Sequence, residues 1–192
     1  MRLLVFSVVL ALSVVGCAYI DQNVKVNPTI SLAKSDIGKG KKVSVQIIDD
    51  REEQIIGKRR DGYGLAGAKI TTDQDLVEVL KVPIFEGLSA KGFLPTQELD
   101  NTIALKVELR SLAYDNAVGL WTGGNIGKAT IKVVATNAVG KTYEKNYRGQ
   151  KEIRTFFVGS QETNAKVING AFEEAILRMF EDEELLKFLN QL

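Results

Sequence analysis

The first apolar run, Leu3 to Val15, is thirteen residues long and follows Met1 and Arg2. Roughly 18 to 20 such residues are needed to span a bilayer, so this length fits the hydrophobic region of a secretion signal. Beyond it, Val24-Lys25-Val26 and Ile30-Ser31-Leu32 alternate around Pro28, which a sheet tolerates only at an edge. Residues 17–41 therefore read as a tether that can supply one edge strand. Val43 to Ile48 alternates and then runs apolar, the pattern of a central strand ending at Asp49-Asp50. Residues 51–67 read as loop and Ala68 to Thr71 as a short strand. Leu76, Leu80, Ile84 and Leu88 recur every four residues as one helical stripe, with Thr72 placed to cap it, Pro83 to kink or split it and Gly92 to end it. Ile103, Leu105, Val107 and Leu109 alternate with Ala104, Lys106, Glu108 and Arg110 as a half-buried strand, and Ser111 to Gly127 reads as a long glycine-containing loop. Ala129 to Ala135 is the next strand, and Asn137 to Gly140 turns it into Lys141 to Arg148 as a hairpin. Ser160 is placed to cap a long helix with the stripe Val167, Ile168, Ala171, Phe172, Ala175, Ile176, Met179 and Phe180, and Asp182-Glu183-Glu184 opens a shorter one. This order predicts an α+β fold, a mainly antiparallel sheet with two main helices packed on one face, formed by a single domain over residues 42–192.

Composition narrows the chemistry. Of 192 residues, 25 are Lys or Arg and 24 are Asp or Glu, a balance that gives no long-range field for nucleic acid. Histidine is absent, which excludes Ser-His-Asp and Cys-His catalysis and histidine metal sites. The single cysteine, Cys17, leaves no intramolecular disulfide, redox pair or thiolate zinc cage. No cofactor and no metal are expected.

The first apolar run ends in Val14-Val15-Gly16-Cys17, which resembles the lipobox of bacterial lipoprotein precursors. On that resemblance residues 1–16 are a signal peptide and the Cys17 thiol carries a diacylglyceryl group; with two or more acyl chains such an anchor holds stably. Ala18, rather than an aspartate, follows the cysteine. By the sorting pattern of Gram-negative lipoproteins this implies the outer membrane, with the domain facing the periplasm. Further short matches are Asn27-Pro28-Thr29-Ile30-Ser31-Leu32, Asp49-Asp50-Arg51, Ala90-Lys91-Gly92-Phe93, Leu112-Ala113-Tyr114 and Lys145-Asn146-Tyr147-Arg148. With these the chain resembles the uncharacterised lipoprotein family typified by YajG. The resemblance covers nearly the whole chain, implies an outer-membrane lipoprotein and supplies neither an activity nor site residues.

Three clusters are candidate sites. Gly62-Tyr63-Gly64-Leu65-Ala66-Gly67 fits a dinucleotide-binding spacing, but charged loop precedes it and no helix opens inside it, so it reads as a loop or hairpin turn. Asp49, Asp50 and Arg51, with Glu52 and Glu53 beyond, form a charged cluster whose plain reading is ion pairing at a strand end. Tyr114, Leu120 and Trp121, the only tryptophan, form a candidate binding loop that either anchors a partner or folds back onto the core, and Phe156-Phe157-Val158 would enlarge the patch. The functional expectation is a noncatalytic protein, attached to the membrane by its lipid, that binds an envelope protein or supports envelope assembly. The alternatives are a carrier or chaperone for an apolar ligand such as lipid, and, ranked last, a hydrolase built on carboxylates alone.

Overall fold

The computed structural model describes residues 20–60, 66–98, 103–118, 123–155 and 159–191. Cys17, Gly62, Gly64, Leu120, Trp121 and Phe156 to Val158 lie outside them. In chain order the described elements are β1 (Gln22–Asn23), β2 (Lys42–Asp49), β3 (Gly57–Arg60), β4 (Ala66–Thr71), α1 (Leu76–Ala90), β5 (Leu94–Thr96), β6 (Ile103–Val118), β7 (Gly123–Thr136), β8 (Thr142–Thr155), α2 (Gln161–Glu181) and α3 (Glu183–Leu189).

The strands join one sheet organised around β6. β7 pairs with β6 along its length and β8 lies beyond β7. On the other side β2 takes the first half of β6 and β3 meets its second half, with β5 outside β2 and β4, then β1, outside β3. The expected mainly antiparallel sheet is therefore corrected. Four of the seven described pairings (β1–β4, β2–β5, β2–β6 and β3–β6) are parallel, so the sheet is mixed within an α+β architecture. The reason lies at α1. Only a few residues separate β6 from β7 and β7 from β8, too few for a crossover, so these strands are antiparallel, whereas a strand that leaves through a helix can return parallel to its start, as β5 and β6 do beside β2.

Alternation puts Val43, Val45, Leu105, Val107, Leu109, Ile131, Val133 and Ala135 on one face of the sheet, in one core with Leu80, Ile84 and Leu88 of α1 and Val167 to Phe180 of α2. Helix α2 approaches the sheet at glycine distance. A Cβ on Gly127 would stand 2.1 Å from the Val167 carbonyl oxygen, and one on Gly149 would stand 1.9 Å from that of Ala171.

Local signals resolve unevenly. Ser160 caps α2 and Asp182 caps α3, while Gly92 ends α1 at φ +82° and lets the Phe93 N–H return to the Leu88 carbonyl. The cap of α1 is Asp75, which accepts from the Val77 N–H at 2.9 Å, and not Thr72. Pro83 is buried inside α1 without splitting it. Residues 57–60 form a strand within the expected loop 51–67. The loop expected from Ser111 to Gly127 is mostly ladder, since β6 and β7 stay paired from Ser111↔Thr130 to Val118↔Gly123 beyond a bulge at Arg110.

The described part of segment 17–41 is laid against the domain. Gln22 and Asn23 pair with β4, after which Val24, Val26 and Pro28 are buried while Lys25, Asn27 and Thr29 face out. Val24 N–H still reaches the Thr71 carbonyl of β4 and Val26 N–H the Gln74 side chain; beyond them no described strand lies beside this stretch, and helix side chains meet its backbone instead. Asn169 accepts from the Asn27 N–H at 2.7 Å and donates to the Lys25 carbonyl at 3.1 Å; Glu173 accepts from the Thr29 N–H at 2.9 Å; Gln161 donates to the Asn23 carbonyl at 2.6 Å. The chain then reaches α1, where Ser35 N–H donates to the Ala90 carbonyl.

Candidate functional site

Strand β8 is an edge of the sheet, pairing only with β7 among the described residues. The turn fixes which of its groups face outward. Asn137 N–H donates to the Lys141 carbonyl at 3.0 Å, so odd-numbered residues of this hairpin form its hydrogen-bonded pairs. The N–H and C=O groups of Glu144, Asn146, Arg148 and Gln150 consequently point away from β7. Gln150 N–H is met by Glu174 of α2 at 2.8 Å, whereas no acceptor among the described residues meets Glu144, Asn146 or Arg148 N–H. Beside these groups runs an open groove of about 680 Å³, lined by Lys145 to Arg148 on the strand side and by Arg178 and Glu181 to Glu184 on the helix side.

One carboxylate organises the floor of the groove. Asp182 accepts from the Tyr143 and Tyr147 hydroxyls at 2.7 Å each and from Lys145 Nζ at 2.6 Å, and its other oxygen caps α3 through the Glu184 and Leu185 N–H groups. Burial pushes the Asp182 carboxyl up, but the hydrogen bonds from Lys145, Tyr143 and Tyr147 outweigh it and hold the group well below the usual carboxylate range. Burial, reinforced by the shared acceptor, raises the Tyr147 phenol far above its ordinary value. At neutral pH the cluster is thus locked as one carboxylate, one ammonium and two neutral phenols. That is a joint between β8 and the α2–α3 corner, not a proton relay.

The helix-free face of the sheet carries an ion-pair lattice. Lys106 and Arg110 flank Glu108 at 2.8 and 3.5 Å, Arg110 also pairs with Asp50, and Lys132 pairs with Glu144 at 2.8 Å. The Lys106 hydrogen bond, followed by the charges of Lys106, Lys132 and Arg110, holds Glu108 low against the opposing effect of burial. The charged cluster read from the sequence belongs to this lattice. Arg51 grips Asp49 in a two-point contact at 2.8 Å from both Nε and Nη2, which lowers the Asp49 pKa, while Asp50 goes to Arg110. A groove of about 210 Å³ between Arg51 to Ile56 and Arg110 to Ala113 separates the two matches Asp49-Asp50-Arg51 and Leu112-Ala113-Tyr114. Among the described residues no three acidic or thiol side chains converge as a metal site.

Tyr114 is in strand β6, not in a loop. It is buried, donates its hydroxyl to Asn125 Oδ1 at 2.8 Å, and has its phenol pushed up by burial to about 12. The structure therefore separates it from any surface patch, while Leu120, Trp121 and Cys17 lie outside the described residues. The Asp182 joint went unread in the sequence, although two signals were there. Tyr143 and Tyr147 share a strand face by their even spacing, and Lys145-Asn146-Tyr147-Arg148 was already one of the short matches.

A family described as "Uncharacterized lipoprotein" matches residues 28–190. The lipoprotein YajG of Escherichia coli strain K12, itself described as uncharacterized, is 26% identical over 190 residues, covering 98% of this chain and 96% of the relative. Among solved structures, a minor lipoprotein from Acinetobacter baumannii is similar with a TM-score of 0.48 and 9% identity, over 77% of this chain and 92% of that one. A protein from Xanthomonas campestris is similar with a TM-score of 0.46 and 13% identity, over 89% and 94% of the two chains.

Proposed function

The chain belongs to this uncharacterized lipoprotein family, and from that premise we propose that it is a noncatalytic outer-membrane lipoprotein, acylated at Cys17 and facing the periplasm, whose domain binds an envelope partner along the open edge of β8. The observation that carries the reading is the edge itself. Glu144, Asn146 and Arg148 present outward backbone donors beside an open groove, and such an edge is a template for an added strand. The perturbed carboxylates support a noncatalytic role. Asp49, Glu108 and Asp182 are all held low by neighbouring cations, opposite to the raised carboxyl an acid catalyst needs. A lipid carrier is disfavoured by the filled interior, where Phe172, Met179 and Phe180 are at most 1% exposed between helices and sheet.

The attachment is short. From Gln22 onward the chain is packed on the domain, and the five residue steps between Cys17 and Gln22 span at most about 18 Å. A photo-crosslinking amino acid in place of Asn146, in cells making the full lipoprotein, tests the proposal. A light-dependent protein adduct is expected at Asn146 and little at Lys166 on the exposed side of α2. No adduct at Asn146 would overturn it.

A further inference from the structure

We propose that the strand added to β8 is β8 of a second copy of this chain, antiparallel and related by a two-fold axis at Asn146. The inference rests on the reading of the β8 edge as a docking surface and supplies its occupant. The ladder has a limited length. Gln150 N–H is already taken by Glu174, so added pairing must use the groups on the turn side of it, above all those of Glu144, Asn146 and Arg148. Centred on Asn146, these make about six inter-strand hydrogen bonds: a mutual pair at Asn146, and a pair on either side joining Glu144 of one copy to Arg148 of the other.

Charge selects this register. The outward side chains on the helix-free face are Glu144, Asn146 and Arg148, and the Asn146 axis sets glutamate opposite arginine twice. An axis at Glu144 or Arg148 would set each against itself, an axis at Lys145 would oppose two lysines, and an axis at Tyr147 would need the occupied Gln150 N–H. Among the described residues Arg148 has no acidic partner, while the strand beside it carries Lys128 and Lys132. Glu144 of the second copy supplies that partner and completes a row running Lys132, Glu144, Arg148. The helix side of the groove carries both signs, Arg178 beside Glu181, Glu183 and Glu184, as a self-complementary interface requires. A two-fold axis leaves both attachment points at one height, so both copies can sit in one bilayer. Confinement there raises the effective concentration of a short interface.

Full lipoprotein bearing Asn146→Cys, oxidised in intact membranes and run without reductant, is the test, because its only other cysteine is Cys17. A dimer of the chain with itself is expected, absent from the parent chain and from a Lys166→Cys control. Adding Arg148→Glu, which opposes two glutamates, should cut the dimer by about tenfold, and adding Glu144→Arg to that variant should restore it. Unchanged thermal unfolding of the exposed-site variants keeps the comparison on docking. An Asn146 adduct to a different protein would overturn the two-fold pairing while leaving the docking edge in place. No adduct of any kind would remove both, and a dimer indifferent to Arg148→Glu would overturn the register.

Discussion

Asp182→Ala should be the most costly single polar substitution in the described domain, and its cost can be worked from the contacts. The cap of α3 contributes about 0.5–2 kcal/mol. The Tyr147 hydroxyl, on a residue only 4% exposed, would be left without its acceptor, which costs about 1–3 kcal/mol for a buried donor. Tyr143 is half-buried and can turn toward water, so it adds little. The sum is about 1.5–5 kcal/mol, which at a urea dependence of about 2 kcal/mol per molar moves the midpoint down by about 1–2.5 M. Far-ultraviolet circular dichroism in urea at neutral pH measures it. The pH dependence is a second readout. Asp182 has its folded-state pKa depressed below its ordinary 3.8, so its contribution is present above that value and is lost as pH falls through the folded one. Asp182→Asn, which keeps a capping oxygen, should flatten the acid limb of the stability profile below pH about 5. A midpoint loss equivalent to less than about 1 kcal/mol for Asp182→Ala, or an unchanged acid limb for Asp182→Asn, would refute the joint.

Other substitutions read other parts of the structure. Gly149→Ala and Gly127→Ala should each cost about 2–3 kcal/mol or more because the new methyl meets helix backbone, whereas Gly140→Ala, in open space at φ +79°, should cost about 1 kcal/mol; urea midpoints separate them. A chain starting at Lys42 should melt well below one starting at Ala18, since it loses Val24 and Val26 from the core at about 1.5–3 kcal/mol each; equal melting temperatures would sink that assignment. Tyr114, whose folded-state value of about 12 lies above its ordinary 10.0, contributes stability that is complete below pH 10 and lost as pH rises toward 12. Tyr114→Phe should therefore soften the alkaline limb while costing about 1–2 kcal/mol at pH 7 through the orphaned Asn125 oxygen, both visible in unfolding followed across pH.

What could be read from sequence was what depends on neighbours in the chain. The Leu76 to Leu88 stripe, the Ser160 cap, the short helix opening at Asp182 to Glu184 and the turn at Gly140 are each decided within one or two helical turns or a few strand residues, and each is where the pattern put it. Parallel pairing is not of this kind. Val43 to Ile48 looks the same whichever direction its neighbour β6 runs, so the mixed sheet could not be inferred from alternation. The stretch 111–127 misled because its glycines imitate a loop, although Gly127 is needed in β7 for α2 to lie against it. The charged cluster at Asp49, Asp50 and Arg51 was legible as ion pairing within itself, but Arg110, sixty residues on, was not predictable as the partner of Asp50.

The packing of residues 22–32 changes what a lipid at Cys17 would do mechanically. A free segment of 24 residues would let the domain roam some 25–30 Å from the membrane, with no preferred face. Instead Val24 and Val26 enter the core and Asn169, Glu173 and Gln161 of α2 hold the backbone, so among the described residues the chain is held to the domain from Asp21 and β1 onward. β1 is one edge of the sheet and β8 is the opposite edge. On the proposed reading attachment and docking lie at opposite edges of one sheet, and a strand added at β8 does not compete with the segment that leads to Cys17. The two edges also differ in how they are closed. The β1 side is finished by side chains from α2, whereas on β8 a single glutamate, Glu174, covers one N–H and leaves the neighbouring three exposed. Natural sheets cover an edge that must stay single or charge it, and the charges of β8 are of both signs, Glu144 and Arg148, so they repel an unlike strand while matching a second, antiparallel β8. A helix that supplies caps along one edge and stops after one on the other leaves β8 as the side where another strand fits.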